Sequence, residues 1–315
     1  MSEIWTMGEI LVEIMRSEAG KQLYEAGEFL GPYPSGAPAI FIDTVARLGH
    51  SAGIIGGVGA DDFGRCVIER LKRDGVDCSR VLTVDGLSTA VAFVTYFDDG
   101  SRKFIYHIGN TPAAMAKSPD VTEICNTKFF HVMGCSLMAS EDFCREIITT
   151  MEKFVAKGAK VSFDPNIREE LLQGRDINEI IGPVMKNCSV LLPGVDELLL
   201  ISGEKTVESA VNKILNNGVT EIIALKRGKK GCTVYTKDEQ FSLGVYNITP
   251  VDPTGAGDCF DAAFLCGLLE NKPLKECAKI ATAAASLNTA AFGPMEGDIS
   301  KENVYKMIMG ENIEA

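Results

Sequence analysis

Three small residues, Gly255, Ala256 and Gly257, stand directly before Asp258 at the head of an apolar run, in the stretch DPTGAGDCFDAAF (residues 252–264). Residues of these types in this order could do chemistry. A Gly-rich turn that runs into a helix leaves several backbone N–H groups unpaired, and the helix dipole adds partial positive charge there. Together they make an anion site. Gly255 and Gly257 also remove side chains that would keep an anion at a distance. Asp258 reads in two ways. It can be an N-cap, a contribution of about 1 kcal/mol. It can also be a general base, held ionised by the dipole, that takes a proton from a hydroxyl attacking a phosphoryl group in the N–H cradle. Phosphoryl transfer mainly needs positioning and charge stabilisation, and such a loop supplies both.

A loop of this kind has to be placed by a rigid scaffold. Short apolar runs alternate with longer amphipathic ones along the chain. Residues 3–15 (EIWTMGEILVEIM) read as a first strand. Residues 51–61, 159–166, 188–194 and 221–228 read as further strands, while 39–49, 61–75, 141–158 and 206–218 have helical spacing. This alternation predicts an α/β class with a mostly parallel sheet covered on both faces. Two segments break the rhythm. Residues 16–35 are polar and marked by Gly and Pro. Residues 88–111 read as a hairpin around the turn Asp98-Asp99-Gly100-Ser101. Residues 1–15, 36–87 and 112–315 are therefore assigned to an α/β core, and 16–35 and 88–111 to a small β lid over its edge.

Composition narrows the function classes. A net charge of -12 argues against nucleic acid and against anionic membrane as partners. The ten cysteines include no CxxC pair and there are three histidines, which fits small buried thiols in a reducing cytoplasm better than a zinc site. The N-terminus has no signal-peptide pattern, and no window has the apolar length of a membrane helix. A cytoplasmic location is the expectation.

VDPTGAGDCF (251–260) resembles the C-terminal signature of the ribokinase (PfkB) sugar-kinase family. The other family motifs follow in order: GEILVEIM (8–15), SGAPAIFIDTVARLG (35–49), VGADDFGR (58–65), DPNIR (164–168), LLPGVDEL (191–198) and LKRGKKG (225–231). The resemblance implies a three-layer α/β/α core with a β lid, and an ATP-dependent kinase acting on a small sugar. It implies Asp258 as the catalytic base, Gly255, Ala256 and Gly257 as the anion hole, and Arg168 near the sugar and the transferred phosphate. Glu13, Gly36, Ala37 and Asn166 fall at the sugar, with Tyr106, His107 and Asn110 reaching it from the lid. Lys226, Gly228, Gly231 and Thr282 fall on the nucleotide side. Glu197 is placed to act on Mg²⁺ through water, and Asp252 near a monovalent cation such as K⁺. A homodimer through the lid is implied as well.

Several positions depart from the family pattern. Glu13 replaces an aspartate, Ser35 a glycine, and Ile40 and Gly194 asparagines. Asp43, one helical turn beyond Ile40, could stand in for the asparagine that Ile40 replaces, or be an ordinary helix residue. His107 stands where 2-keto-3-deoxygluconate kinases carry an arginine, and a mostly neutral imidazole is the poorer carboxylate partner. The expectation is a neutral ketohexose, fructose or tagatose, with 2-keto-3-deoxygluconate as the alternative. A nucleotide-dependent oxidoreductase would need GxGxxG after the first strand, which is missing, and no GxxxxGK[ST] occurs. A weakly catalytic sugar or nucleotide sensor on the same fold is the remaining rival, and retention of Asp258 speaks against it.

Overall fold

The chain order of elements carries the predicted alternation. The computed structural model describes residues 2–97, 101–122, 124, 126–172 and 174–310. β1 (Ile4–Met7) leads to β2 (Leu11–Arg16) and β3 (Phe29–Ser35), and then α1 (Ala37–Arg47), β4 (Ala52–Gly59), α2 (Asp62–Arg73) and β5 (Asp77–Val84) follow. A hairpin of β6 (Ala90–Tyr96) and β7 (Arg102–His107) comes next. The chain continues through β8 (Phe129–Met133), α3 (Gly134–Met138), α4 (Glu141–Val155), β9 (Lys160–Asp164), α5 (Glu169–Leu172), α6 (Ile177–Met185) and β10 (Cys188–Leu191). It closes with α7 (Val195–Ser202), α8 (Val207–Leu215), β11 (Ile222–Lys226), β12 (Cys232–Tyr235), β13 (Gln240–Leu243), α9 (Ala256–Leu269), α10 (Leu274–Thr289) and α11 (Lys301–Met309).

The main sheet has the order β13-β12-β11-β10-β9-β8-β1-β4-β5. Its pairings are parallel from β5 to β11, and β12 and β13 add an antiparallel ribbon at one edge. Successive side chains of a central strand go to opposite faces. In β1, Ile4 joins the core under α1, α2, α9, α10 and α11, and Trp5 joins the core under α4, α6, α7 and α8. The helices are built by ordinary signals. Asp61 caps α2 by accepting from Gly64 N (2.8 Å), and Ser140 caps α4 by accepting from Phe143 N (3.1 Å). α9 is different. It is apolar nearly all round because α1 and α10 pack on it, and its N-cap is Gly255, without any side-chain cap.

Residues 3–15 are two strands and not one. β1 belongs to the main sheet, and after Gly8-Glu9-Ile10 the chain enters β2, in a second sheet of order β3-β2-β6-β7. That sheet thus starts at Leu11, and Glu13 lies in it, which corrects the assignment of residues 1–15 to the core. Gly8 and Glu9 mark the break in sequence, but apolar residues predominate on either side of it because both strands are buried, so the change of sheet is not legible there. Of the hairpin turn, residues 98–100 lie outside the described residues; the strands beside it pair Tyr96 with Arg102. Asp61 fastens the second sheet to the core: its carboxylate accepts from Thr89 N (2.8 Å) and Thr89 Oγ1 (2.6 Å), just ahead of β6.

β1 and β8 are neighbours from which the chain winds outward in both directions, so the strand order reverses between them. A crevice opens outside the carboxyl ends of the strands at such a point. Close packing there is strict. A Cβ on Gly134, at the end of β8, would stand 1.8 Å from Pro165 O, in the backbone segment that carries Asn166. Gly134→Ala should therefore destabilise the chain by about 3 kcal/mol, the upper end for overpacking, because backbone has to move. Urea denaturation with a parallel activity assay checks both the stability loss and the displacement of Asn166.

Candidate active site

A cavity of about 210 Å³ occupies that crevice, between the carboxyl ends of the main-sheet strands and the inner face of the second sheet. Its floor comes from Glu9 after β1, Cys135 after β8, Asp164 at the end of β9, Gly194 after β10 and Lys226 at the end of β11. One wall is the turn into α9, Pro253 to Asp258. The roof is built from β2, β3 and β7.

Gly255 takes φ 78°, and a Cβ there would meet Pro294 O at 2.4 Å, so the turn needs glycine. Gly257 faces the cavity, with the Lys226 ammonium 3.7 Å from where its Cβ would be. Ala256 N–H donates to Pro253 O (3.3 Å), so its donor is directed into the turn. The N–H groups of Gly257 and Asp258, in the first helical turn, have no preceding helical carbonyl to bind. Of the three residues 255–257, Ala256 thus turns its donor away from the cavity, and Asp258 adds one of its own.

Asp258 is buried, and its carboxyl is pushed up to about 8. Burial is the main cause and the charge of Asp164 adds to it, against the pull of Lys226 and Arg168. The expectation that Asp258 is held ionised is therefore corrected: its carboxyl is raised, with burial as the main cause. Asn166 Nδ2 donates to Asp258 Oδ1 (3.4 Å) from a left-handed backbone (φ 35°), which asparagine tolerates. Asn166 N–H in turn donates to Asp164 Oδ1 (3.2 Å).

Lys226 does not point outward toward solvent. Its ammonium donates to Asp164 Oδ2 (2.7 Å) and to both oxygens of Asp261 (3.0 and 3.2 Å). Burial opposes its charge, but Asp164 and Asp261 outweigh that and raise its pKa above the ordinary lysine value. Asp164 is held below the ordinary carboxylate range against the cost of burial by Lys226, whereas burial raises Asp261. Sequence reasoning missed Asp164 and Asp261 as partners of Lys226. The only signal was an acid one helical turn beyond Asp258.

Toward the second sheet, Glu13 Oε1 accepts from Ser35 Oγ (2.7 Å), and its Oε2 is buried without a protein partner. The two departures are thus one unit: the longer acid is braced by the hydroxyl that replaces a glycine. Burial pushes the Glu13 carboxyl up to about 7, with the Ser35 bond working against the rise. Gly36, Ala37 and Ile40 line the cavity beside it. Asp43 does not. It is buried against Arg70 (3.4 Å) and Arg47 (4.0 Å), so it brings no polar group to the cavity in place of Ile40.

The lid register overturns two assignments. Arg102, Phe104, Tyr106 and Ile108 face the cavity, and His107 and Asn110 are exposed and do not line it. The strand period of two fixes this, since Tyr106 inward puts His107 outward. His107 lies edge-on to Phe93 (5.9 Å) instead. The inward cation of β7 is Arg102, which the same period could have found. Arg168 lines the cavity too. Its guanidinium donates to the carbonyl of its own neighbour, Ile167 O (3.4 Å), and the surrounding Tyr106, Cys135, Asp258 and Asp164 keep its pKa raised despite burial. Glu9, also overlooked, accepts from Cys135 Sγ (3.2 Å) and Ser136 Oγ, and burial raises its carboxyl.

Gly228, Gly231 and Thr282 are not among the cavity lining. The two glycines form the β11–β12 turn with positive φ, and Thr282 Oγ1 donates to Ala278 O (2.8 Å) inside α10. Glu197 lines the cavity, but its carboxylate already accepts from Gly194 N (2.7 Å) and Ile167 N (2.9 Å). Among the described residues, no three His, Cys, Asp or Glu side chains converge to hold a metal directly. These residues suit a magnesium ion met through its water shell. Asp252 is a loop clamp: Oδ1 accepts from Thr254 N (2.9 Å) and Tyr96 OH (2.8 Å), and Oδ2 from Gly293 N (2.9 Å). Each oxygen takes hydrogen bonds from the protein, and Oδ2, with one, keeps an acceptor site for a cation.

Residues 1–301 match the pfkB family carbohydrate kinases. The chain belongs to that family. It is 32% identical to fructokinase-1 of Zea mays over 96% of each chain, and 32% identical to fructokinase-1 of Oryza sativa subsp. japonica over 96% of each. Among solved structures, an E. coli protein described as a ribokinase II, in complex with ATP and Mg²⁺, superimposes with a TM-score of 0.90 at 37% identity, covering 99% of this chain and 100% of its own. As a pfkB kinase the chain is a phosphotransferase that moves a phosphoryl group from ATP to a sugar. No helix among the described residues is long and apolar enough to cross a membrane, and the nine described cysteines are unpaired.

The buried carboxyls of this kinase set a pH dependence. Glu13 and Asp258 have folded pKa values of about 7 and about 8, above their ordinary values of 4.5 and 3.8. A raised folded pKa means that the folded state binds protons more tightly, so this stability is present at low pH and is lost as pH rises through the folded values. The denaturation midpoint should therefore fall as pH rises from about 5 to about 8, and Asp258→Asn should flatten part of that slope. Thermal unfolding across this range measures it.

Proposed function

We propose that the chain phosphorylates a primary hydroxyl of a neutral ketohexose, fructose before tagatose, with Asp258 as general base. The observation that carries this reading is the placement of Asp258: beside an N–H cradle, and on the same cavity as the unpartnered Glu13 Oε2. Glu13 accepts from a sugar hydroxyl, and Tyr106, Leu11 and Ile108 cover the sugar from the second sheet. Asn166 orients Asp258. Asp258 takes the proton of the attacking hydroxyl as its oxygen bonds the γ-phosphorus and the bond to the bridging oxygen breaks, releasing ADP. The N–H groups of Gly257 and Asp258, with Arg168, meet the charge on the transferred group. Magnesium, when bound, neutralises nucleotide oxygens, and Glu197 would hold its water shell. The neutral-sugar reading is supported by the names of the two fructokinase relatives and by the apolar lining at Ile40 and Ile108. It does not rest on His107.

One observation favours a second substrate: Arg102 faces inward, so a sugar acid such as 2-keto-3-deoxygluconate would find a cation. The outer face of β7, with exposed Ile105 and His107, is where we place the homodimer contact.

ADP release measured over fructose, tagatose and 2-keto-3-deoxygluconate separates the substrates. Fructose should give the highest kcat/KM. A preference for the acid, abolished by Arg102→Ala, would overturn the neutral assignment. Asp258→Asn should lower kcat by about 10²–10⁴ with both KM values little changed. The wild-type rate should rise with pH through a midpoint near the Asp258 value of about 8 and level off above it. Wild-type turnover in Asp258→Asn would end the base assignment.

A further inference from the structure

Lys226 takes no part in the proton transfer itself, although its half-buried side chain lines the floor of the cavity. Two connections run from it to Asp258. The first goes through Asp164: Lys226 Nζ donates to Asp164 Oδ2 (2.7 Å), Asp164 Oδ1 accepts from Asn166 N–H (3.2 Å), and Asn166 Nδ2 donates to Asp258 Oδ1 (3.4 Å). The second goes through Asp261, bonded to the same ammonium at 3.0 Å and carried one turn along α9 from Asp258. Lys226 ends β11, Asp164 ends β9, and both meet the start of α9 through this ammonium. Two strands are thus joined to the helix whose first turn is the anion cradle.

We propose that Lys226 is a positioning residue for the catalytic base: it fixes Asp258 through Asp164–Asn166 and through Asp261, and it sets a positive charge against that of Asp164 beside the base. The inference rests on Asp258 as general base. It departs from the expectation that Lys226 serves the nucleotide. The groups facing Asp258 are Asp164 from β9, Lys226 from β11, Asn166 and Arg168 from the segment after β9, Glu9 from the β1–β2 connection and Cys135 from α3. Of these, Asp164 and Glu9 raise the Asp258 carboxyl, and Lys226 and Arg168 lower it. A buried carboxylate with a cation removed binds its proton more tightly, and one with a neighbouring anion removed binds it less tightly.

The test is the pH profile of kcat in the full-length chain. Lys226→Met should move the acid limb up by about one pH unit. At pH 7 it should lower kcat by about 10- to 100-fold, the cost of a slightly displaced base, with KM for ATP within about threefold. Asp164→Asn, nearly the same shape, should move the limb down, and Lys226→Met/Asp164→Asn should return it toward wild type. A nucleotide ligand would instead raise KM for ATP at least tenfold in Lys226→Met and leave the limb in place; a purely structural lysine would lower the melting temperature and leave the limb in place. Either result overturns the proposal. Should Lys226→Met fail to fold, an unmoved limb in Asp164→Asn overturns it alone. Asp258→Asn, run alongside, separates the two readings: turnover there removes the base itself, whereas an inactive Asp258→Asn with unmoved limbs removes only the role of Lys226.

Discussion

Burying a carboxylate costs several kcal/mol unless a cation or N–H groups receive it, and this chain buries Glu9, Glu13, Asp164, Asp258 and Asp261 around one crevice. Two cations, Lys226 and Arg168, are set among them. Lys226 answers Asp164 and Asp261 directly. Only Asp164 is held low by it; burial raises Asp261 all the same, and it raises Glu13 to about 7 and Asp258 to about 8. The site is therefore proton-rich at neutral pH despite a net charge of -12 over the whole chain. A base with a pKa near the working pH holds a useful fraction ionised and still has enough proton affinity to accept a proton in the transition state.

The sheet makes this arrangement possible. Each parallel strand ends at the same edge, so single residues far apart in sequence, Glu9, Asp164 and Lys226, arrive within one cavity. The helix that follows the Gly-rich turn is apolar nearly all round, and packing against α1 and α10 fixes its axis before any ligand is present. Its first turn can then point unpaired N–H groups at a charge without reorganising, which is the main source of electrostatic stabilisation in such sites. The second sheet is fastened at both ends of the crevice. Asp61 holds the start of β6 through Thr89, and Tyr96 at the end of β6 bonds Asp252 and Thr254 in the turn before α9. Roof and anion cradle are thus one connected piece.

The lid shows how local register decides chemistry. His107 and Arg102 lie in the same short strand, and a shift of one position exchanges which of them meets a substrate. Residue identity at a matched motif position points to the histidine; the period of the strand points to the arginine. The Glu13–Ser35 pair makes the same point across strands. Each residue alone is a departure from the family pattern, and β2 pairing with β3 makes them a single donor–acceptor unit.

Sequence alone determined the class of fold and the kind of chemistry. Strand–helix alternation demands a covered parallel sheet, and small residues before an acid at a helix start demand an anion site with an acid beside it; both are local consequences of backbone geometry. The positions of Gly257 and Asp258 were legible for that reason, whereas Asn166, Arg168, Glu197 and Lys226 were legible only through the motifs that resemble the family's. Tertiary structure decided the rest. It divided residues 3–15 between two sheets, turned Arg102 inward and His107 outward, closed Lys226 between Asp164 and Asp261, and gave both oxygens of Asp252 hydrogen bonds from the protein. It also set protonation: the helix start is readable from sequence, but desolvation depends on everything packed around Asp258, and burial is the main cause of its raised carboxyl pKa.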